Sequence, residues 1–250
     1  MTNNKSNKIT AAIIIIGNEI LSGRTQDVNL QHISLWLNKL GVRVEEVRII
    51  SDIENRIVNC VNELRKKFNY VFTTGGIGPT HDDITAKSIS KAFKLNYESH
   101  EEAFSILEKY YKTGEFNEGR QRMAIMPSKA KLIYNPTSGA PGFIVDNVFC
   151  LPGVPSILQA MLGGLDNKIS GGKIILNKTI NLNTVESKIA KPLREVQEKN
   201  KDVEIGSYPF FRSGKIGVSI VLRSEDQKKI DKCNNEIFKF VLKKNIIQIN

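Results

Sequence analysis

A glycine-rich run, Thr73-Thr74-Gly75-Gly76-Ile77-Gly78-Pro79-Thr80-His81-Asp82-Asp83-Ile84-Thr85, directly follows a strand-like apolar segment, Tyr70-Val71-Phe72. Three glycines let the backbone come close to a ligand and aim N–H groups at an anion, and a helix expected to begin near Asp82 adds its positive end. Asp82 and Asp83 beside such an anion are repulsive unless a hard divalent cation lies between, so the run reads as a phosphate-ester site with Mg²⁺ or a similar ion. The rival reading is a plain strand-to-helix turn with Asp82 as its N-cap.

Four further groups bear on this chemistry. The loop Gly17 to Asn29 follows the first strand; Gly17 and Gly23 permit unusual backbone angles, Ser22 and Asn29 offer hydrogen bonds to a base or sugar, and Asp27 is an alternative helix cap. Asp52 ends the second strand on the same sheet edge as Asp83, as an N-cap or as a second carboxylate of the site. In the proline-glycine loop Asn135 to Phe143, Ser138 and Gly139 could contact phosphate, while Pro152 and Gly153 place a helix N-terminus towards the same pocket or form a purely structural turn. His81 is a further polar candidate without zinc-type ligand spacing around it. Arg120 and Arg122 could each bring a guanidinium to a diphosphate or be surface charge. There is no Gly-x-Ser-x-Gly elbow, no Walker lysine and no cysteine beside a histidine, so nucleophilic catalysis has no candidate set.

The elements that must position these groups alternate between strand and helix over the first two-thirds, as in a parallel sheet with helices on both faces. Ile9 to Ile16 is an almost continuous apolar strand; Leu30, Ile33, Leu37 and Leu40 recur at helical spacing before Gly41; Val42 to Ile50 is the next strand. Ile53, Ile57, Val61 and Leu64 line one helix face, and Tyr70 to Thr74 is the third strand. Glu101 to Tyr111 is a helical stretch, with Phe104, Leu107 and Tyr111 on one face, packed as a flap or extension beside the site; Arg120 to Met126 and three later segments are short extended pieces, and Val154 to Leu162 is the closing helix. Gly163-Gly164 and Ser170-Gly171-Gly172 bracket an expected linker. Beyond it, Lys178–Leu182, Val203–Tyr208 and Lys215–Leu222 read as strands, and Val185–Glu198 and Asp226–Lys243 as helices. The expectation is an α/β three-layer domain at 1–168 and a small α+β domain at 173–250.

The chain has 250 residues, 40% hydrophobic and 25% charged, with a formal net charge of +10. The excess is lysine spread along the chain, which favours attraction of anionic metabolites over dedicated nucleic-acid binding. No apolar run is membrane-length, and the polar start Met1 to Lys8 is unlike a signal peptide. Cys60, Cys150 and Cys233 are odd in number, far apart and in apolar settings, which suits reduced buried thiols and a cytoplasmic location.

The run Thr-Gly-Gly-x-Gly-Pro-Thr-x-Asp-Asp-x-Thr over 74–85, and Gly-x-Glu-x-Leu-x-Gly with Asp-x-Asn over 17–29, resemble the molybdopterin-binding-like superfamily and its CinA (competence/damage-inducible protein A) branch. Residues 9–165 carry the resemblance to the main domain. Ile205-Gly206-Ser207-Tyr208-Pro209 and Lys215 to Arg223 resemble the small second domain of the CinA group and of the hydrolase half of animal FAD synthases. The resemblance implies metal-dependent hydrolysis of a nucleoside diphosphate linkage, with ADP-ribose or FAD as the substrate type. Asp52, Asp82 and Asp83 would be catalytic and hold Mg²⁺, Co²⁺ or Mn²⁺, with K⁺ assisting. Gly17, Glu19, Asn29, Gly75, Gly76, Gly78, Thr80, Ser138, Gly139 and Gly142 would bind substrate. It also implies a homo-oligomer without a membrane partner. Full-length CinA proteins continue into a nicotinamide-mononucleotide deamidase domain, so deamidation is not expected of these 250 residues. The rival roles on the same scaffold are molybdopterin binding or adenylylation, and non-catalytic nucleotide sensing.

Overall fold

The computed structural model describes residues 8–212 and 214–249; the expectation for the N-terminal segment falls, for residues 1–7, outside them. The chain divides into two compact units between Gly172 and Lys173. In the first, the order is β1 (Ile9–Ile16), α1 (Asn18–Leu21), α2 (Asn29–Lys39), β2 (Val42–Ile50), α3 (Glu54–Lys67), β3 (Tyr70–Thr74), α4 (Thr85–Phe93), β4 (Tyr97–Ser99), α5 (Glu101–Tyr110), α6 (Glu118–Arg122), β5 (Ile125–Pro127), β6 (Lys131–Ile133), β7 (Gly142–Val145), β8 (Val148–Leu151) and α7 (Pro155–Leu162), followed by a 3-10 turn at Gly163–Lys168.

Six strands form one sheet in the order β2-β1-β3-β8-β7-β6. The first three pairings are parallel, and β7 joins β8 and β6 antiparallel. The expected α/β class with a mostly parallel sheet is present. β1 shows why: Ala12, Ile14 and Ile16 enter one core and Ala11, Ile13 and Ile15 the other, so a strand covered on both faces has no polar side to show. On the first face α3 buries Ile57, Cys60, Val61 and Leu64, joined by Ile89 of α4 and Leu107 of α5. On the second, α2 supplies Ile33 and Leu37 and α7 supplies Leu158 and Met161. α3 is also charged to suit its dipole, with Glu54 in its first turn and Arg65, Lys66 and Lys67 in its last.

Four expectations are corrected. α4 begins at Thr85, with Ile84 at its N-cap, because Asp82 and Asp83 spend their carboxylates on Thr80 and not on the helix. Residues 118–122 are helical, not extended, since Asn117 accepts from Arg120 N and caps α6. The segment Glu101–Tyr110 is part of the core, with Ala103 and Leu107 fully buried, rather than a flap. The glycine-bracketed stretch 163–172 is not a free linker: Leu165 and Ile169 are buried in the second core, Asp166 accepts a 2.7 Å hydrogen bond from Trp36 Nε1, and Gly172 N donates to Leu40 O.

The second unit runs β9 (Leu176–Asn183), α8 (Glu186–Lys199), β10 (Glu204–Arg212), β11 (Lys215–Ser224), α9 (Gln227–Lys243) and β12 (Ile247–Ile249). Its antiparallel sheet has the order β10-β11-β9-β12, of which β12 was not expected from the sequence. Ile180, Leu182, Val218, Ile220 and Leu222 face Ile189 and Leu193 of α8 and Ile230 and Ile237 of α9 in one core, the α+β arrangement the sequence pattern describes. The three cysteines are unpaired and buried, as expected for reduced thiols, and burial pushes Cys150 up to about 12. Among the described residues no helix is long and apolar enough to cross a membrane.

The packed state of the 163–172 segment has a measurable consequence. Leu165→Ala should destabilise the first unit by about 2–5 kcal/mol, the range for truncating a buried leucine. Trp36, the single tryptophan, contacts Phe72 edge-on at 5.8 Å and reports this unit, so urea unfolding followed by its fluorescence checks the shift. An unchanged midpoint would restore the linker reading.

Candidate functional site

The carboxyl ends of β1, β3 and β8 are drawn together by a small number of polar ties. Gly75 N donates to Leu151 O at 3.2 Å, and Gly17 N to Ile50 O at 3.2 Å. Thr74 Oγ1 donates to Pro152 O at 3.0 Å and accepts from Asn29 Nδ2 at 2.9 Å. The same Nδ2 reaches Gly153 O at 2.7 Å, so one buried asparagine at the start of α2 holds the end of β3 and the loop after β8. Because Gly153 O can only accept, the amide orientation is fixed, and Asn29 Oδ1 is left buried without a partner.

The glycine run turns sharply at this junction. Gly75 and Gly76 have φ of 99° and 68°. A Cβ on Gly75 would stand 2.2 Å from Ile16 O, and one on Gly76 2.2 Å from Thr85 Oγ1. Thr85 closes the turn from the other side, its hydroxyl donating to Gly75 O and its N–H to Gly76 O, both at 2.9 Å. Thr80 then gathers the acidic pair: its N–H and hydroxyl meet Asp83 Oδ2 at 2.8 and 2.6 Å, and the hydroxyl lies 2.6 Å from Asp82 Oδ1.

These groups border a cavity of about 610 Å³. Its walls include the carboxylate residues Glu19, Asp52, Asp82 and Asp83, together with the turn Gly75 to Pro79. Asn135, Ser138 and Pro141 form a second side, and Pro152 to Pro155 a third. Asp52 is not a helix cap; its Oδ2 accepts from Asn18 N at 2.8 Å, tying the loops after β1 and β2. Burial pushes the Asp52 carboxyl above its ordinary range against that hydrogen bond, and the negative charges of Glu19 and Asp82 add to the rise. Asp82 is held below its ordinary range, first by the Thr80 hydroxyl.

The expected site residues divide accordingly. Glu19, Asp52, Gly75, Gly76, Gly78, Asp82, Asp83 and Ser138 all line the cavity. Thr80 is exposed and not among the lining residues, but it bonds both members of the acidic pair. Asn29 lines a smaller adjoining cavity of about 70 Å³. Gly17, Gly139 and Gly142 are not among the lining residues of the main cavity, and packing accounts for each: a Cβ would meet the Glu19 carboxylate, the Tyr110 ring and Cys150 O, at 2.5, 2.7 and 2.4 Å respectively. Asn135 went unnoticed in the sequence. Its Nδ2 donates to Ser138 Oγ and Ala140 O while its Oδ1 accepts from Thr137 N and Ser138 N, shaping the whole loop; the Asn-Pro dipeptide that starts this turn was the available signal.

Known proteins agree with this architecture. Residues 12–167 match the family described as "Probable molybdopterin binding domain", and residues 174–249 match "FAD synthase, middle domain". A protein of Archaeoglobus fulgidus is 33% identical over 87% of this chain and 92% of its own, and one of Saccharolobus islandicus is 34% identical over 94% and 95%. A relative from Clostridium botulinum bearing the name of a competence-damage inducible protein is 29% identical over 88% of this chain, which spans 56% of that protein. The solved structure of the protein CinA, of unknown function, from Thermoplasma acidophilum superimposes with a TM-score of 0.61 and 30% identity, over 65% of this chain and 99% of that one. The chain therefore belongs to the molybdopterin-binding-domain family and, within it, to the CinA-like group.

If Asn29 chiefly ties loops, Asn29→Ala should lower stability by about 1–3 kcal/mol without any ligand present, since it strands Gly153 O and loosens Thr74. Denaturant melts of the apo protein check this. Unchanged stability would mean that the residue serves a ligand alone.

Proposed function

We propose that the first unit is a metal-dependent nucleotide pyrophosphatase, cleaving the diphosphate linkage of an ADP-ribose- or FAD-like nucleotide to AMP and a phosphorylated product. The observation that carries this reading is the meeting of four carboxylate residues and a glycine turn on one cavity, whose volume lies in the usual range for small-molecule sites. Both matched families are described in terms of phosphorylated cofactors, molybdopterin in one and FAD in the other.

The donor set fits a hard divalent cation. Oxygen ligands dominate, and the mutual repulsion felt at Asp52 from Glu19 and Asp82 is what a cation would relieve. Among the described residues no three acidic, histidine or cysteine side chains form a ready metal cluster, so ligand phosphate oxygens and water would have to complete the ion's shell, as they commonly do for Mg²⁺. Its protein ligands would be drawn from Asp52, Asp82 and Asp83, and when bound it would offset negative charge on the diphosphate.

The chain's own groups supply the rest. The Gly75–Gly78 turn lines the cavity where a phosphate would sit, and its glycines are needed to seat that turn, since a side chain on Gly75 or Gly76 would strike Ile16 O or Thr85 Oγ1. Thr80 fixes the Asp82 and Asp83 carboxylates towards one another's reach. Water adds to one phosphorus, the bridging P–O bond breaks, and the proton released by the water passes to a carboxylate of the set.

Purified protein incubated with ADP-ribose, FAD or NAD, with Co²⁺ or Mg²⁺ and K⁺, should release AMP from one of them. Asp83→Asn and Asp52→Asn should each lower kcat by about 10²-fold or more, the scale of losing a positioned acid–base group. Full activity in both variants would remove these carboxylates from the chemistry. The family description favours one second reading, binding or adenylylation of molybdopterin; tight ligand binding without turnover, unaffected by Asp83→Asn, points instead to nucleotide sensing.

A further inference from the structure

The main cavity presents a charge problem. Four acidic residues line it and no Lys, Arg or His does, yet the proposed ligand carries a doubly negative diphosphate. Elsewhere in the same unit acidic side chains are matched by cations: Glu46 and Glu63 by Arg48, Glu46 also by Lys67, and Glu54 by Lys91. None of Glu19, Asp52, Asp82 or Asp83 has an ion-pair partner among the described residues.

A narrow crevice of about 10 Å³ adjoins the cavity and shares with it Ile77, Gly78, Asp83, Met123 and Pro141. A void of that size holds one water at most. It is lined by a single basic side chain, Arg122, at the end of α6. Arg122 is exposed and makes no hydrogen bond or ion pair among the described residues. Its charge is felt locally: burial pushes the Tyr97 hydroxyl up, and Arg122 works against that rise.

The neighbouring arginine is differently placed. Arg120 donates to Glu115 O, pairs with the Glu115 carboxylate at 3.6 Å and lies over the Tyr111 ring at 4.1 Å. Arg120 is thus committed to the loop that precedes α6. The backbone that carries Arg122 is set by the Asn117 cap and by Gln121 Nε2 donating to Phe116 O.

We propose that Arg122 is a specificity-determining residue of this site: its guanidinium takes the non-bridging oxygens of the second phosphate of a nucleoside diphosphate ligand beside Gly78, and so distinguishes a diphosphate from a monophosphate. The inference rests on the pyrophosphatase reading and names the group that reading lacks, a protein cation for the diphosphate. A planar fork that can bind two phosphate oxygens at once explains arginine at the position, because a lysine would supply the charge without the paired geometry.

The test is calorimetric titration of ADP and of AMP into wild type, Arg122→Ala, Arg122→Lys and Arg120→Ala, with Mg²⁺ present, alongside AMP release from ADP-ribose. Arg122→Ala should weaken ADP binding about 10- to 100-fold, the range for a charged hydrogen-bonded pair, and AMP binding by less than about threefold. Arg122→Lys should recover only part of the loss, and Arg120→Ala should leave both affinities unchanged. Equal losses for ADP and AMP, or ADP affinity unchanged in Arg122→Ala, overturn the assignment. Wild type that binds ADP through Arg122 but releases no AMP sinks the hydrolase reading and leaves the Arg122 assignment standing; wild type that binds neither nucleotide overturns both.

Discussion

Everything at the candidate site depends on how closely the end of β3 can approach the end of β1. Gly75 sits where its missing Cβ would occupy the space of Ile16 O, at 2.2 Å. Only a glycine allows both that contact and a φ of 99°. With Gly75 seated, its N–H reaches Leu151 O, Thr85 can pin the turn from behind, and Asn29 can bridge Thr74 to Gly153. The meeting of the strand ends is thus the primary constraint, and the acidic loops are hung on the junction they form.

That order explains why some of the molecule was legible before any coordinates and some was not. β1 was readable because a strand buried on both faces must be apolar throughout, and α2 and α3 because their buried positions recur at helical spacing. Asp52 and Asp83 could be placed on one edge because each follows a strand that runs in the same direction. The start of α4 was not readable, since two aspartates before a helix look like caps, and only the fold shows Thr80 claiming them. Composition marked 163–172 as a linker; Leu165 and Ile169 override it by packing. Gly139 and Gly142 look like loop glycines for a ligand, whereas the Tyr110 ring of α5 and the Cys150 carbonyl of the neighbouring strand β8 leave no room for a side chain at either.

Two of the expected roles also changed character once distances were known. Asp52, a cap or a catalyst by position, is a carboxylate bonded to Asn18 N, so it fixes the loop bearing Glu19 while still lining the cavity. Asn29, chosen for a base or sugar, spends both of its amide donor contacts inside the protein. Arg120 and Arg122, equivalent on paper, are separated by what surrounds them: a carboxylate and an aromatic ring for one, the small crevice that adjoins the acidic cavity for the other.

The electrostatics of the first unit carry the same lesson. On β2 and α3, Lys67 and then Arg48 hold Glu46 below the ordinary carboxylate range, and Arg48 does so for Glu63, a paired arrangement that asks nothing of a ligand. At Asp52 the sign reverses, the carboxyl being pushed up first by burial and then by the like charges of Glu19 and Asp82, while the Thr80 hydroxyl keeps Asp82 low. A fold under pressure for stability alone would place a cation there, because unpaired carboxylates gathered at a partly buried site cost free energy. Leaving them unpaired makes sense when the compensating charge arrives with what binds, and local rules are characteristically broken at working sites. The net charge of +10 then matters at a distance, drawing anions towards a cavity whose own walls would turn them away without a cation.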